Sequence, residues 1–177
     1  HIPLQSGDTE ILSKMRRNYN AEQYKHITRL ATNRITPLGL GADVIVGFPG
    51  ESEKSFECTR KLIEELPFSY LHVFSYSPRS GTEAYSFKNN IKNTTKKERN
   101  LILSNLVKEK AHLFYKSFIG RKVTVLIEEP KVDGVLKGYS EHYIPVRIDT
   151  ESSLKNQLVP VIIKDVQKNE LVGCLES

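Results

Sequence analysis

The stretch Asp43 to Glu51, "DVIVGFPGE", opens with an ionisable residue, continues through three apolar ones and closes on two glycines, a proline and an acid. A short, continuous apolar run bounded by turn residues is the signature of a strand buried on both faces, as in a parallel sheet. The loop after it has two readings. A tight turn between a strand and a helix needs glycine and proline. Alternatively, the C-terminal end of the strand carries a ligand, as it does in parallel α/β folds. The neighbouring segments decide the fold in which either reading must work.

Upstream, "HIPL" at the start of the chain is strand-like, "DTEILSKM" after Gly7 is helical, and "NAEQYKHITRLATNR" begins with Asn20 and Gln23 at capping-box spacing. Downstream, Ser52 is placed to cap "EKSFECTRKLIEEL", whose Phe56, Leu62, Ile63 and Leu66 form one apolar stripe. "YLHVFSY" is then a third strand. Strand, helix, strand, helix, strand with right-handed crossovers gives a parallel sheet covered by helices. "PRSGTEAYSFKNN" reads as an ordered loop with turns at Pro78 and Gly81. Thr95 and Glu98 form a second capping box, opening a helix to about Ile119. Its stripe is Leu103, Val107, Ala111, Phe114 and Phe118, and Gly120 is its C-cap. From Arg121 the pattern changes to five short β-rich runs, "KVTVLIEE", "GVLKGYS", "YIPVRID", "QLVPVIIKDV" and "ELVGCLE", the grammar of a small antiparallel barrel. The expected fold class is α/β plus all-β, with domains 1–120 and 121–177.

The chain has 177 residues, of which 38% are hydrophobic and 27% charged, enough for one or two globular domains. No apolar run reaches the roughly 20 residues that span a bilayer, and no leader heads the chain, so a cytoplasmic protein without a membrane partner is expected. Cys58 and Cys174 lie far apart, one in an expected helix and one in an expected strand. They read as reduced, mostly buried thiols, and no metal site is expected. The chain starts at His1 with a strand-like segment, and is expected to be a piece of something longer. Its net charge of +5 is concentrated between Lys88 and Lys116. Eight basic residues stand there against Glu98 and Glu109. Such a stretch is either a solvated helix face or the footprint of a polyanion partner.

Five segments in this order, "HIPLQSGD", "MRRNY", "GADVIVGFPGE", "LHVFSYSPRSGT" and "FYKSFIGRKVTVLIEE", resemble the radical S-adenosylmethionine methylthiotransferases, which attach a methylthio group to an unreactive carbon. The resemblance spans essentially the whole chain. It implies that the first part is the second half of an open TIM-like radical-SAM barrel. The five-stranded end would be a TRAM/OB-like RNA-binding barrel. "GYSEHYIPVRI" is most similar to the branch acting on threonylcarbamoyl-adenosine beside the tRNA anticodon. The isopentenyl-adenosine branch and the branch modifying a ribosomal protein are the alternatives. The family's C-x-x-x-C-x-x-C motif and the cysteines of its additional cluster are not in this chain. The two 4Fe-4S clusters and their reductant would therefore belong to other parts of a full-length enzyme, and this piece alone should be inactive.

Carried onto this sequence, the resemblance implies that Gln5 and Ser6 serve the ribose or amino-acid part of S-adenosylmethionine. Arg17 would pair with its carboxylate. Val46 and Gly47 would lie along adenine, with Gly47 allowing close approach. Asp43, facing the barrel interior or its mouth, would be the catalytic residue by orienting substrate or cofactor; the alternative is a strand-start aspartate in solvent. Glu51 reads instead as a helix-start residue favoured by the macrodipole. Tyr76 and Arg79 either meet the incoming nucleotide or anchor their loop. Lys96, Lys97 and Arg99 are expected to contact phosphates. Tyr139, Tyr143 and Arg147 would grip an unstacked base of the tRNA anticodon loop, unless a tyrosine among them packs a barrel face, and His142 is expected on the surface. A monomer is expected. The rival from another class is a free-standing RNA-binding protein on a barrel scaffold.

Overall fold

A parallel strand pair organises the N-terminal half. In this computed structural model, which describes residues 1–88, 91–132, 134–150 and 154–176, β1 (Leu40–Val46) pairs with β2 (Phe68–Ser75) in parallel. The crossover is α3 (Glu53–Glu65), started by the Ser52 side chain, which accepts from the Ser55 amide. The "HIPLQ" segment runs along the other side of β1, where Ile2 and Leu4 donate to the Gly41 and Asp43 carbonyls and Ile45 donates to Gln5. It forms a single parallel bridge, Gln5 to Val44, rather than the expected strand. Pro3 has no N–H to contribute, and Gln5 leaves the extended region at φ +65°.

β1 also departs from the two-sided burial expected of it. Ala42, Val44 and Val46 are wholly buried, while Asp43 and Ile45 are only partly so. The buried side meets Leu4, Phe56, Ile63, Leu66, Phe68 and Leu103 in one apolar cluster. The helices around it begin where their caps dictate. α1 (Thr9–Lys14) is capped by Asp8, and α2 (Ala21–Arg34) by the reciprocal Asn20–Gln23 box. α4 (Asn93–Lys116) begins ahead of Thr95, which therefore lies inside the helix and cannot be its cap. α4 ends in tight turns leading to Gly120 at φ +81°.

Contacts divide the chain into two compact units, His1–Lys110 and Ala111–Ser177. The division falls within α4, ahead of Gly120, because Phe118, with Phe114 beside it, packs into the second unit's core of Val125, Ile127, Leu136, Ile148 and Ile163. That unit is a closed barrel of β3 (Lys122–Val132), β4 (Val135–Ser140), β5 (Pro145–Asp149), β6 (Leu158–Gln167) and β7 (Glu170–Leu175), in the order β3-β4-β5-β7-β6. It is mixed rather than wholly antiparallel, because β5 and β7 pair in parallel. A closed ring with an odd number of strands cannot alternate direction all the way round. Burial alternates along the strands: Leu136, Gly138 and Ser140 face in, while Lys137 and Tyr139 face out.

Candidate functional site

The C-terminal ends of β1 and β2 open into a cavity of about 580 Å³. Its walls bring together Gln5, Arg17, Asp43, Tyr76 and Arg79, five residues singled out in the sequence from four separate segments. Ile45 and Phe74 supply its apolar floor. Both follow from a period-2 reading, since Ile45 shares a face with Asp43, and Phe74 shares one with Tyr70 and His72. Gln5 holds its strained φ because three backbone hydrogen bonds tie its surroundings to β1. Arg17 and Arg79 are exposed, and neither side chain has a hydrogen-bond or ion-pair partner among the described residues. Two free guanidinium groups facing one cavity suit an anionic or carboxylate-bearing ligand.

Asp43 is held from both sides. One carboxylate oxygen is 3.1 Å from His1 Nε2 and the other 3.3 Å from His72 Nδ1. His1 also meets the Tyr70 hydroxyl at 3.2 Å, and its ring stacks on that of Tyr70. Tyr70 reaches this position because residue 41 is glycine: a Cβ there would lie 1.8 Å from the ring. The two imidazoles were not among the residues expected at the site. They fix the carboxylate's orientation at the cavity wall.

Three expected cofactor residues do not face this cavity. Ser6 is fully buried, and its hydroxyl meets the Thr59 hydroxyl at 3.3 Å. Val46 points into the apolar core. Gly47 has φ +75°, and the space its Cβ would enter is filled by the stem of Lys96, with Cγ 2.5 Å away. Backbone dihedral and the lysine stem, not clearance for adenine, make this position glycine. Gly47→Ala is therefore expected to cost the first unit about 1–2 kcal/mol, read from urea denaturation. Unchanged stability with weakened S-adenosylmethionine binding would restore the clearance explanation.

Two residues expected to meet phosphates are turned inward. Lys96 and Arg99 are 7% and 5% exposed. Arg99 donates to Glu51 Oε2 at 2.6 Å, to the Glu51 carbonyl at 3.2 Å and to Glu53 Oε2 at 2.9 Å, and it covers the Phe56 ring. Glu51 is accordingly not a solvated helix-start acid. It is buried one residue ahead of the Ser52 cap and accepts the Gly47 N–H at 2.7 Å. Burial pushes its carboxyl pKa up, and the Gly47 amide and the Arg99 guanidinium pull it partly back. Lys96 donates to the Tyr76 carbonyl at 3.1 Å. Tyr76 is anchored too: its hydroxyl donates to Ala84 and its ring packs edge-on against Phe48. Only Lys97 of the three basic residues stays exposed.

In the second unit, Tyr143 is 76% exposed and Tyr139 41%, with ring centroids 5.6 Å apart. Tyr139 faces out of the barrel by the alternation of β4, and Tyr143 lies in the exposed turn that follows. Tyr143 sits at φ +61° in a turn around Ser140, whose hydroxyl accepts the His142 and Ile144 amides. Arg147 is half-buried and paired with Asp149 at 3.0 Å. His142, expected on the surface, packs its ring 4.8 Å from that of Phe118.

Cys58 and Cys174 are free and partly buried, and belong to different units. Among the described residues, no three His, Cys, Asp or Glu side chains are grouped to hold a metal ion, and no helix is long and apolar enough to cross a membrane.

No protein-family model matches the chain. Over 174 residues it is 38% identical to a Bartonella tribocorum protein named tRNA-2-methylthio-N(6)-dimethylallyladenosine synthase, covering 98% of this chain and 38% of that protein. An Ehrlichia canis protein of the same name is 37% identical over 177 residues, 98% of this chain and 40% of that protein. One from Geobacillus kaustophilus is 41% identical over 175 residues, 98% of this chain and 33% of that protein. The chain thus spans two fifths or less of the length of these relatives. The names of these relatives carry dimethylallyladenosine, whereas "GYSEHYIPVRI" had suggested the threonylcarbamoyl branch.

Proposed function

We propose that this chain is the part of a tRNA methylthiotransferase that completes the S-adenosylmethionine pocket and grips the RNA. The substrate would be tRNA bearing N6-isopentenyladenosine beside the anticodon. The observation that supports this most is the convergence of Gln5, Arg17, Asp43 and Arg79 on one cavity at the ends of parallel strands. These residues fit the cofactor's polar groups. Arg17 and Arg79 match its carboxylate, Gln5 and Asp43 its ammonium and ribose hydroxyls, and Ile45 and Phe74 offer adenine an apolar surface. When bound, S-adenosylmethionine supplies the methyl group and the cleavable sulfonium. The iron–sulfur clusters do not fit this chain's residues, since it has neither the family's cysteine motif nor a group of metal ligands among the described residues.

The exposed tyrosine pair would stack an unstacked loop base, a contact worth about 1–3 kcal/mol per base in such platforms. Nucleoside analysis of tRNA from a strain lacking the gene tests the reading. The 2-methylthio form of isopentenyladenosine should vanish and its unthiolated precursor accumulate. Loss of the threonylcarbamoyl counterpart would instead move the enzyme to the other branch, and an unchanged profile would reject a tRNA methylthiotransferase.

Phosphate contacts from α4 now rest on Lys97. In the full-length protein, Lys97→Ala should reduce the salt slope of tRNA binding by about 0.7–0.9. Lys96→Ala and Arg99→Ala should leave the slope of the folded protein unchanged. Equal slope losses at all three positions would mean that the buried pair reaches the RNA.

A further inference from the structure

Lys96 and Arg99 are one helical turn apart on α4, and between them they hold both chain segments that leave the sheet. Arg99 takes the loop after β1 through the side chain and the carbonyl of Glu51. Glu51 in turn fixes the Gly47 amide, one residue beyond that strand. Lys96 lays its stem against Gly47 and donates its ammonium hydrogen to the carbonyl of Tyr76, one residue beyond β2. The Tyr76 amide closes the triangle by donating to the Val46 carbonyl at 2.9 Å. The same helix thus grips two loops. Ile45, Ser75, Tyr76 and Arg79, on the strands and loops it holds, line the cavity.

We infer that Lys96 and Arg99 are positioning residues, acting through Glu51, Gly47 and Tyr76 to set the spacing of the two strand ends and hence the shape of the cofactor cavity. The inference rests on the reading of that cavity as the S-adenosylmethionine site. A solvated basic face needs none of this geometry. A merely structural ion pair would stabilise the fold without controlling the cavity. The arrangement here places the side-chain hydrogen bond of Lys96 to Tyr76, and the shortest of those made by Arg99, on the backbone or carboxylate that directs the rim. Displacing such a rim by about 1 Å can lower an enzyme's rate on the order of a hundredfold.

The test uses full-length protein with its clusters reconstituted, comparing wild type with Lys96→Met, which keeps the stem and removes the ammonium, and with Arg99→Lys, which keeps the charge and removes the fork. Hydrogen–deuterium exchange is followed in peptides covering Gly47 and Tyr76, with α1 as the internal reference. S-adenosylmethionine affinity is measured by calorimetry. Both variants should exchange at Gly47 and Tyr76 about tenfold faster while α1 is unchanged, and should bind S-adenosylmethionine about tenfold more weakly. Lys96→Arg should recover most of the affinity. If Arg99→Lys fails to fold, Lys96→Met carries the test alone. Wild type binding the cofactor, with Lys96→Met binding it equally well, overturns the positioning role and leaves the cavity reading standing. A wild type that takes no S-adenosylmethionine rejects the cavity reading and, with it, the role assigned to the clamp.

Discussion

Arg99→Ala is expected to destabilise the first unit by about 3–5 kcal/mol, because it strands a carboxylate that the fold has already removed from water. The Glu51 side chain is 1% exposed, and its Oε1 has no hydrogen-bond partner even with Arg99 in place. Removing the guanidinium leaves the Gly47 amide as the carboxylate's remaining donor. The loss should appear as a large fall in the denaturant midpoint of the first unit, with faster exchange throughout α3 and the start of α4. A double variant, Glu51→Gln with Arg99→Met, should recover much of the stability, since glutamine keeps an acceptor for Gly47 and methionine fills the space over Phe56 without charge. A loss below about 1 kcal/mol for Arg99→Ala would place the pair in the weak class of solvated surface bridges.

Gly138→Ala should be comparably severe in the second unit, at about 3 kcal/mol, the upper end of the usual range for overpacking. A Cβ built there would lie 2.0 Å from the Leu126 carbonyl oxygen and 3.0 Å from the Ile127 Cα. Those are backbone atoms of β3, beside the irregularity in its pairing with β4, so no rotamer change relieves the overlap. Gly134 provides the contrast: it has φ +79° but nothing within 4 Å of its Cβ position. Gly134→Ala should therefore cost only the dihedral penalty, about 1–2 kcal/mol. Equal effects at the two positions, measured by denaturation of the barrel, would show that space is not what demands Gly138.

The local grammar of this chain was readable because its signals are short-range. Asn20 with Gln23, and Ser52 ahead of α3, announce helix starts within four residues, and both caps form. The strand "GVLKGYS" was readable too, although which of its faces turns inward was not, and the structure turns Tyr139 out. Failures came where the deciding partner is distant in sequence. Arg99 reads as part of a basic surface until Glu51 is brought against it from 48 positions away. Lys96 is buried by loops that follow two different strands. Gly47 looked like room for a ligand, yet it answers to a lysine stem on another element. The cavity sits between these cases. The strand-end rule located Tyr76 and Arg79, whereas Asp43 lies in the middle of β1, and His72 and Phe74 required following β2's alternation to its other face. A parallel seam was implicit in the count of five runs, once the barrel is known to close, but its place between β5 and β7 was not.

That seam also sets a timetable for synthesis. β7 is the last strand of the barrel, and it fits between β5 and β6, with Leu171 opposite Val146. Until Glu170–Leu175 has been made, β5 and β6 each present an unpaired edge to other chains. The first unit is a compact cluster within His1–Lys110, complete in sequence while the barrel strands are still being added, at the 5–20 residues per second typical of translation. The nascent chain therefore passes through a stage in which one unit is complete in sequence and the other is an open sheet with two adhesive edges. A stop anywhere between Gln167 and Leu175 would freeze the molecule at that stage, making aggregation rather than lost chemistry the first symptom of truncation.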